Sequence, residues 1–125
     1  MTRNPVGWFE IYVQDLHRAK KFYETVLGTE LTKLELPTPE LEMLAFPMNM
    51  GVEGASGALV KMEGCPSGGM GTLVYFSSDD CGIETSRVET AGGKVFKPKM
   101  SIGPYGFIAL AIDTEGNTIG FHSMA

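Results

Sequence analysis

The sequence predicts an α+β protein built from two tandem βαβββ modules. Their strands are expected to join in a curved, cup-shaped eight-stranded mixed sheet with the helices on its convex side. Three observations lead there. Apolar and polar residues alternate over short stretches, as half-buried strands do. Two capped, amphipathic stretches interrupt them. The whole order then repeats, with Asp15 to Gly28 and Asp79 to Gly92 each thirteen residues apart. One helix covers only one face of a four-stranded unit, so the other face is left open. Two such units side by side would make the cup.

The first strand is read over 6–13, with Phe9, Ile11 and Val13 on one face and Trp8, Glu10 and Tyr12 on the other. Asp15 can cap a helix from Leu16 to about Leu27, because its carboxylate can accept a free first-turn N–H. Leu16, Ala19, Phe22, Tyr23, Val26 and Leu27 recur at three- and four-residue steps and form one apolar stripe. Gly28 supplies a left-handed stop. Strands follow near 29–36, 41–47 and 56–63, separated by Pro37, Pro39, Pro47 and the glycine-rich 51–57. The second module opens with a strand over 71–78. Asp79-Asp80 caps a helix from Ile83 to Thr90, with Ile83, Ser86, Val88 and Ala91 inward, and Gly92-Gly93 stops it. Strands near 94–100, 106–112 and 117–123 complete it. The chain is expected to be a single domain over 1–125, with modules at 6–64 and 71–124.

The bulk numbers narrow the partners. The net charge is -5, and the ten basic residues are scattered. A nucleic-acid partner is therefore not expected, since a phosphate backbone calls for clustered Lys and Arg. No apolar run approaches the roughly 20 residues that cross a bilayer, so no membrane role is expected. The two cysteines, Cys65 and Cys81, read as free thiols in a reducing cytoplasm. His17 falls on the first helical turn and is expected to be exposed.

The stretches "FEIYVQDLHRAKKFYETVLG", "GASGALVKMEG", "ETAGGKVFKPKMSIGPYGFIAL" and "DTEGNTIGFHS", in this order, resemble the vicinal oxygen chelate superfamily. That group includes glyoxalase I, the bleomycin-resistance proteins and the extradiol dioxygenases. The resemblance covers roughly 6–124 and implies the paired-module fold. It also implies a divalent metal, held by His and Glu on the strands, that acts as a Lewis acid. Carried over position by position, those ligands fall on Trp8, on Thr72 (or Leu73 if Asp80 is the aligned cap), on Gly120 and on Val60. Divalent first-row metals want three or four N, O or S donors. A metal cofactor is therefore not expected, although the resemblance makes one possible.

Two ionisable groups remain on the expected front face, Glu10 and His122. They read as an acid–base pair or as polar anchors for a small molecule, or else as a cross-sheet contact and a rim residue. Trp8, Tyr12, Phe76 and Phe107 read as an aromatic lining, with Thr72 and Gly120 beside them, or simply as filling for the volume a metal occupies elsewhere. Gly120 would make room for Trp8 or for a ligand, and Tyr105 reads as a gate or a hairpin plug. The expected function is binding of a small apolar or aromatic molecule without the metal, with any reaction of the lyase or isomerase proton-transfer kind. Two alternatives stand beside it. One is a metal-dependent lyase, isomerase or dioxygenase of the glyoxalase I type drawing on Glu10, His122 and Glu63. The other is a non-enzymatic sequestering or structural protein. The resemblance also implies a homodimer.

Overall fold

The computed structural model describes residues 3–36, 40–68 and 71–125. The class is α+β: an eight-stranded mixed sheet and two helices. The chain divides into two compact units, one of residues 9–72 and one of residues 1–8 with 73–125.

In the first of these, the strands run in the order β2-β3-β4-β1: β1 (Val6–Tyr12, of which residues 9–12 belong here), β2 (Thr32–Lys33), β3 (Leu41–Ala45) and β4 (Ser56–Met62). Helix α1 spans Leu16–Leu27, as the stripe predicts. Asp15 accepts the Arg18 N–H at 3.0 Å, and Gly28, at φ 64°, donates its N–H to Glu24 O. β4 is the heart of this unit: Ala58, Leu59 and Val60 are wholly buried. It pairs antiparallel with β3, Leu59 opposite Leu44 and Val60 opposite Met43. Phe9 packs on Phe46, whose ring meets Tyr23 of α1 edge-on. A Cβ on Gly57 would lie 2.3 Å from Phe9 O, so only glycine lets these strands close up. β2 is much shorter than its expected span. The Leu31 N–H, which could have extended the ladder, goes instead to the Glu24 carboxylate at 2.8 Å. Pro37 and Pro39 lie outside the described residues. The stripe on α1 is only partly used: Phe22, Val26 and Leu27 are 58–62% exposed.

In the other unit the order is β5-β8-β7-β6: β5 (Thr72–Ser77, most of which belongs here), β6 (Lys94–Ser101), β7 (Phe107–Ile112) and β8 (Thr118–Ser123). β5 and β8 are parallel, and β7 is antiparallel to both β6 and β8. Helix α2 spans Cys81–Arg87, earlier and shorter than Ile83–Thr90. Asp80 is its cap, accepting Gly82 N–H at 2.9 Å and Lys99 Nζ at 2.7 Å. The Lys99 hydrogen bond, then the Gly82 N–H, hold the Asp80 carboxyl below the ordinary aspartate value. Asp79 is turned away to Arg3. The expected inward face also changes. Cys81 is the buried residue of α2, while Ile83 is 47% exposed and Ser86 and Ala91 are exposed too. The bond from Cys81 N–H to Ser123 Oγ of β8 holds the Cys81 end of the helix against the sheet.

Candidate functional site

Strand register separates the two faces of the second unit. Tyr75 pairs with Gly120 and Ser77 with His122 across β5–β8. Across β7–β8, Ile108 pairs with His122, Leu110 with Gly120 and Ile112 with Thr118. Directly paired residues point to the same side. One face therefore carries Leu73, Tyr75, Ser77, Ile108, Leu110, Ile112, Gly120 and His122. The other carries Ala109 and Ala111, which are buried, and Ser123, whose hydroxyl accepts the Cys81 N–H at the start of α2. That second face is the helix side.

This register corrects part of the expected lining. Thr72 and Phe76 alternate with Leu73 and Tyr75 along β5, and so point to the helix side. Phe76 packs on Phe121, 6.3 Å between centroids. Phe107 pairs with Ser123 and lies under Lys99, 4.8 Å from the ammonium. None of the three shares the face of His122. For Thr72 and Phe76 the cause is one residue of offset: with Asp80 as the cap, the residue matching Trp8 is Leu73, and a one-residue slip exchanges the faces of a strand.

What surrounds His122 is instead aliphatic and aromatic. Ile108, Leu110 and Ile112 are each half-buried. Tyr75 stands over Gly120: a Cβ there would fall 2.4 Å from its ring. The space expected for Trp8 or a ligand beside Gly120 is thus taken by Tyr75. Apart from the Tyr75 phenol, the imidazole is the one ionisable side chain among these β5, β7 and β8 positions, and its Nε2 lies 2.6 Å from Tyr105 O. Tyr105 sits in a 3-10 turn, Gly103–Tyr105, its side chain 41% exposed. The sequence reading missed Tyr75, Ile108 and Leu110. Strand parity counted back from Asp80 would have found Tyr75, and parity with His122 the other two.

In the unit of residues 9–72, Glu10 is only 5% exposed, and it accepts a hydrogen bond from Tyr12 Oη at 2.7 Å. Both alternate with Phe9, whose ring lies on the α1 side, so they point away from that helix. Trp8, the β1 residue at which the other unit ends, is half-buried. A buried carboxylate needs donors, and the phenol is one. Glu10 and His122 fall in different units.

The side chains at the inferred metal positions do not fit a metal. With Asp80 as the aligned cap they are Trp8, Val60, Leu73 and Gly120, and none carries a donor atom that divalent metals take. Among the described residues no cluster of three or more His, Cys, Asp or Glu is placed to hold an ion. Among the described residues, no helix is long and apolar enough to cross a membrane.

The fold recurs in solved structures. A variant of the Streptomyces coelicolor methylmalonyl-CoA epimerase, in complex with 2-nitronate-propionyl-CoA, aligns with a TM-score of 0.69 at 16% identity, covering 98% of each chain. The Mycobacterium tuberculosis methylmalonyl-CoA epimerase aligns at 0.70 and 16% identity, covering 97% of this chain and 88% of its own. An uncharacterized protein from Methanosarcina mazei aligns at 0.64 and 17% identity, covering 98% and 95%. At such identities the likeness is one of fold. No curated protein matches the sequence. Residues 6–121 match the model of the Glyoxalase/Bleomycin resistance protein/Dioxygenase superfamily, and the chain belongs to that family.

Proposed function

We propose that this protein binds a small apolar or aromatic molecule without a divalent metal, with Glu10 and His122 as its polar anchors and His122 able to take up a proton. The observation that carries the reading is the side-chain set at the family's metal positions, Trp8, Val60, Leu73 and Gly120. The face around His122 supports it: aliphatic side chains about a few polar groups are the usual make-up of small-molecule sites. A proton-transfer reaction of the lyase or isomerase kind then depends on the imidazole and the carboxylate alone. The protein is proposed to act in the cytoplasm as a homodimer. The exposed Phe22, Val26 and Leu27 on α1 support a second copy, since such clustered apolar side chains commonly mark a contact surface.

The test is direct. Elemental analysis of the purified chain should find no stoichiometric Ni, Zn or Fe. The probe 8-anilinonaphthalene-1-sulfonate should bind saturably, and Leu110→Ser should weaken it about tenfold, the equivalent of ~1.4 kcal/mol. A stoichiometric transition metal would overturn the reading and favour the glyoxalase I type of chemistry. Because two of the solved relatives are methylmalonyl-CoA epimerases, propionyl-CoA is the second probe. Competition between the two would narrow the ligand class to acyl thioesters.

A further inference from the structure

We propose that the turn Gly103-Pro104-Tyr105-Gly106 positions His122, its Tyr105 main-chain carbonyl holding the imidazole as the Nε2–H tautomer. Nδ1 is then the ring's one basic position. The chemistry of the contact decides the direction. A carbonyl oxygen has lone pairs and no proton, so the nitrogen 2.6 Å from it must be the donor. A neutral imidazole has a single N–H, and its other nitrogen therefore carries the free lone pair.

The turn is built to keep that oxygen in place. Gly103 and Gly106 take φ 72° and 100°, a region that favours glycine. Pro104 fixes its own φ. The Ile102 N–H donates to Gly106 O at 2.8 Å, closing the turn. Gly106 is buried against the end of β8, and a Cβ there would lie 2.4 Å from Ser123 O, next in sequence to His122. Any side chain at 106 pushes the turn off the strand and draws the Tyr105 carbonyl away from the ring. The exposed Tyr105 phenol plays no part. Orientation of one ring nitrogen by a carbonyl is a recurrent way to prepare the other for proton uptake or ligand contact. The use of Nδ1 on a ligand rests on the function proposed above, whereas the tautomer does not.

The experiment is nitrogen-15 spectroscopy of the full chain labelled at histidine. There are two histidines, so His122→Gln assigns the signals. In the neutral ring, His122 should show the Nε2–H form in roughly tenfold excess, the effect of one hydrogen bond. It should also show an Nε2-bound proton that persists in water, as exposed His17 does not. Tyr105→Phe should keep both features, because the carbonyl is unchanged. Gly106→Ala should lose both. An Nδ1–H majority, a His122 signal indistinguishable from that of His17, or a folded Gly106→Ala with the tautomer ratio unchanged would each overturn the proposal. If Gly106→Ala does not fold, the wild-type signals decide alone. Failure of the probe to bind while the tautomer stands would sink the proposed function and leave this assignment intact.

Discussion

The two helices begin with the same local code and are held by different forces. α1 is secured by neighbours in sequence: Asp15 caps Arg18 N–H, Gly28 closes on Glu24, and the Glu24 carboxylate reaches Leu31 N–H. α2 is secured by distant strands. Its Cys81 N–H donates to Ser123 Oγ on β8, and its cap Asp80 is bound by Lys99 on β6. The difference teaches where a helix boundary is readable. A helix closed by residues within a few positions starts and stops where the sequence says. A helix anchored by remote partners starts where those partners meet it.

That contrast can be broken at its packing first. In the α1 unit, Gly57→Ala would drive a methyl into the Phe9 backbone oxygen, which no rotamer change relieves. We expect a loss of about 3 kcal/mol in urea unfolding, at the upper end for overpacking. In the other unit, the nearest atoms to a methyl on Gly120 are those of the Tyr75 ring, a side chain rather than backbone. The expected loss is about 1–2 kcal/mol, partly restored in a Gly120→Ala/Tyr75→Leu double variant. Equal losses at the two glycines, with no restoration, would contradict this account of their neighbours.

The caps sharpen the comparison at lower amplitude. Both carboxyls are held below the ordinary aspartate value, Asp80 first by the Lys99 hydrogen bond and Asp15 first by the Arg18 N–H. A group with a depressed folded-state value takes up protons more readily when unfolded. Its contribution is therefore full above the unfolded value, roughly pH 4, and disappears as pH falls through the folded one. Melting temperature should decline below that point, and Asp80→Ala and Asp15→Ala should each flatten the decline. Salt should reduce the effect of Asp80→Ala, which breaks an ion pair, more than that of Asp15→Ala. Asp79→Ala should lower melting less than Asp80→Ala, because Asp79 does not cap the helix.

The smallest effect on stability is expected on the outer stripe of α1. Val26→Ser should change unfolding by no more than about 0.5 kcal/mol, since its side chain is 62% exposed. If the stripe meets a second copy, the same substitution should shift sedimentation toward the monomer. An unchanged sedimentation profile would remove α1 from any dimer contact.

Much of the candidate site was legible and part of it was displaced. Trp8, Glu10 and Tyr12 share a side of β1 as alternation requires, and the sequence already placed Gly120 and His122 on one side of β8. Thr72, Phe76 and Phe107 were assigned to the same lining, and they belong to the helix side. Two adjacent aspartates offered two registers for β5, and nothing local distinguished them. The choice came from Lys99, nineteen residues away, and from Arg3, seventy-six residues away, each drawing one carboxylate. The Tyr105 carbonyl was invisible for another reason: a main-chain oxygen belongs to every residue, so no side chain marks it.

The sequence by itself determined the α+β class, the number and order of the strands and helices, and the α1 boundaries. Periodicity, caps and glycine stops are properties of a few neighbouring residues, and they act before the chain closes on itself. The tertiary structure alone decided the register of β5, the burial of Cys81 in place of Ile83, the Tyr75 ring over Gly120 and the partner of His122. These depend on which distant groups compete for one hydrogen bond or one volume, and that competition exists only once the strands are paired.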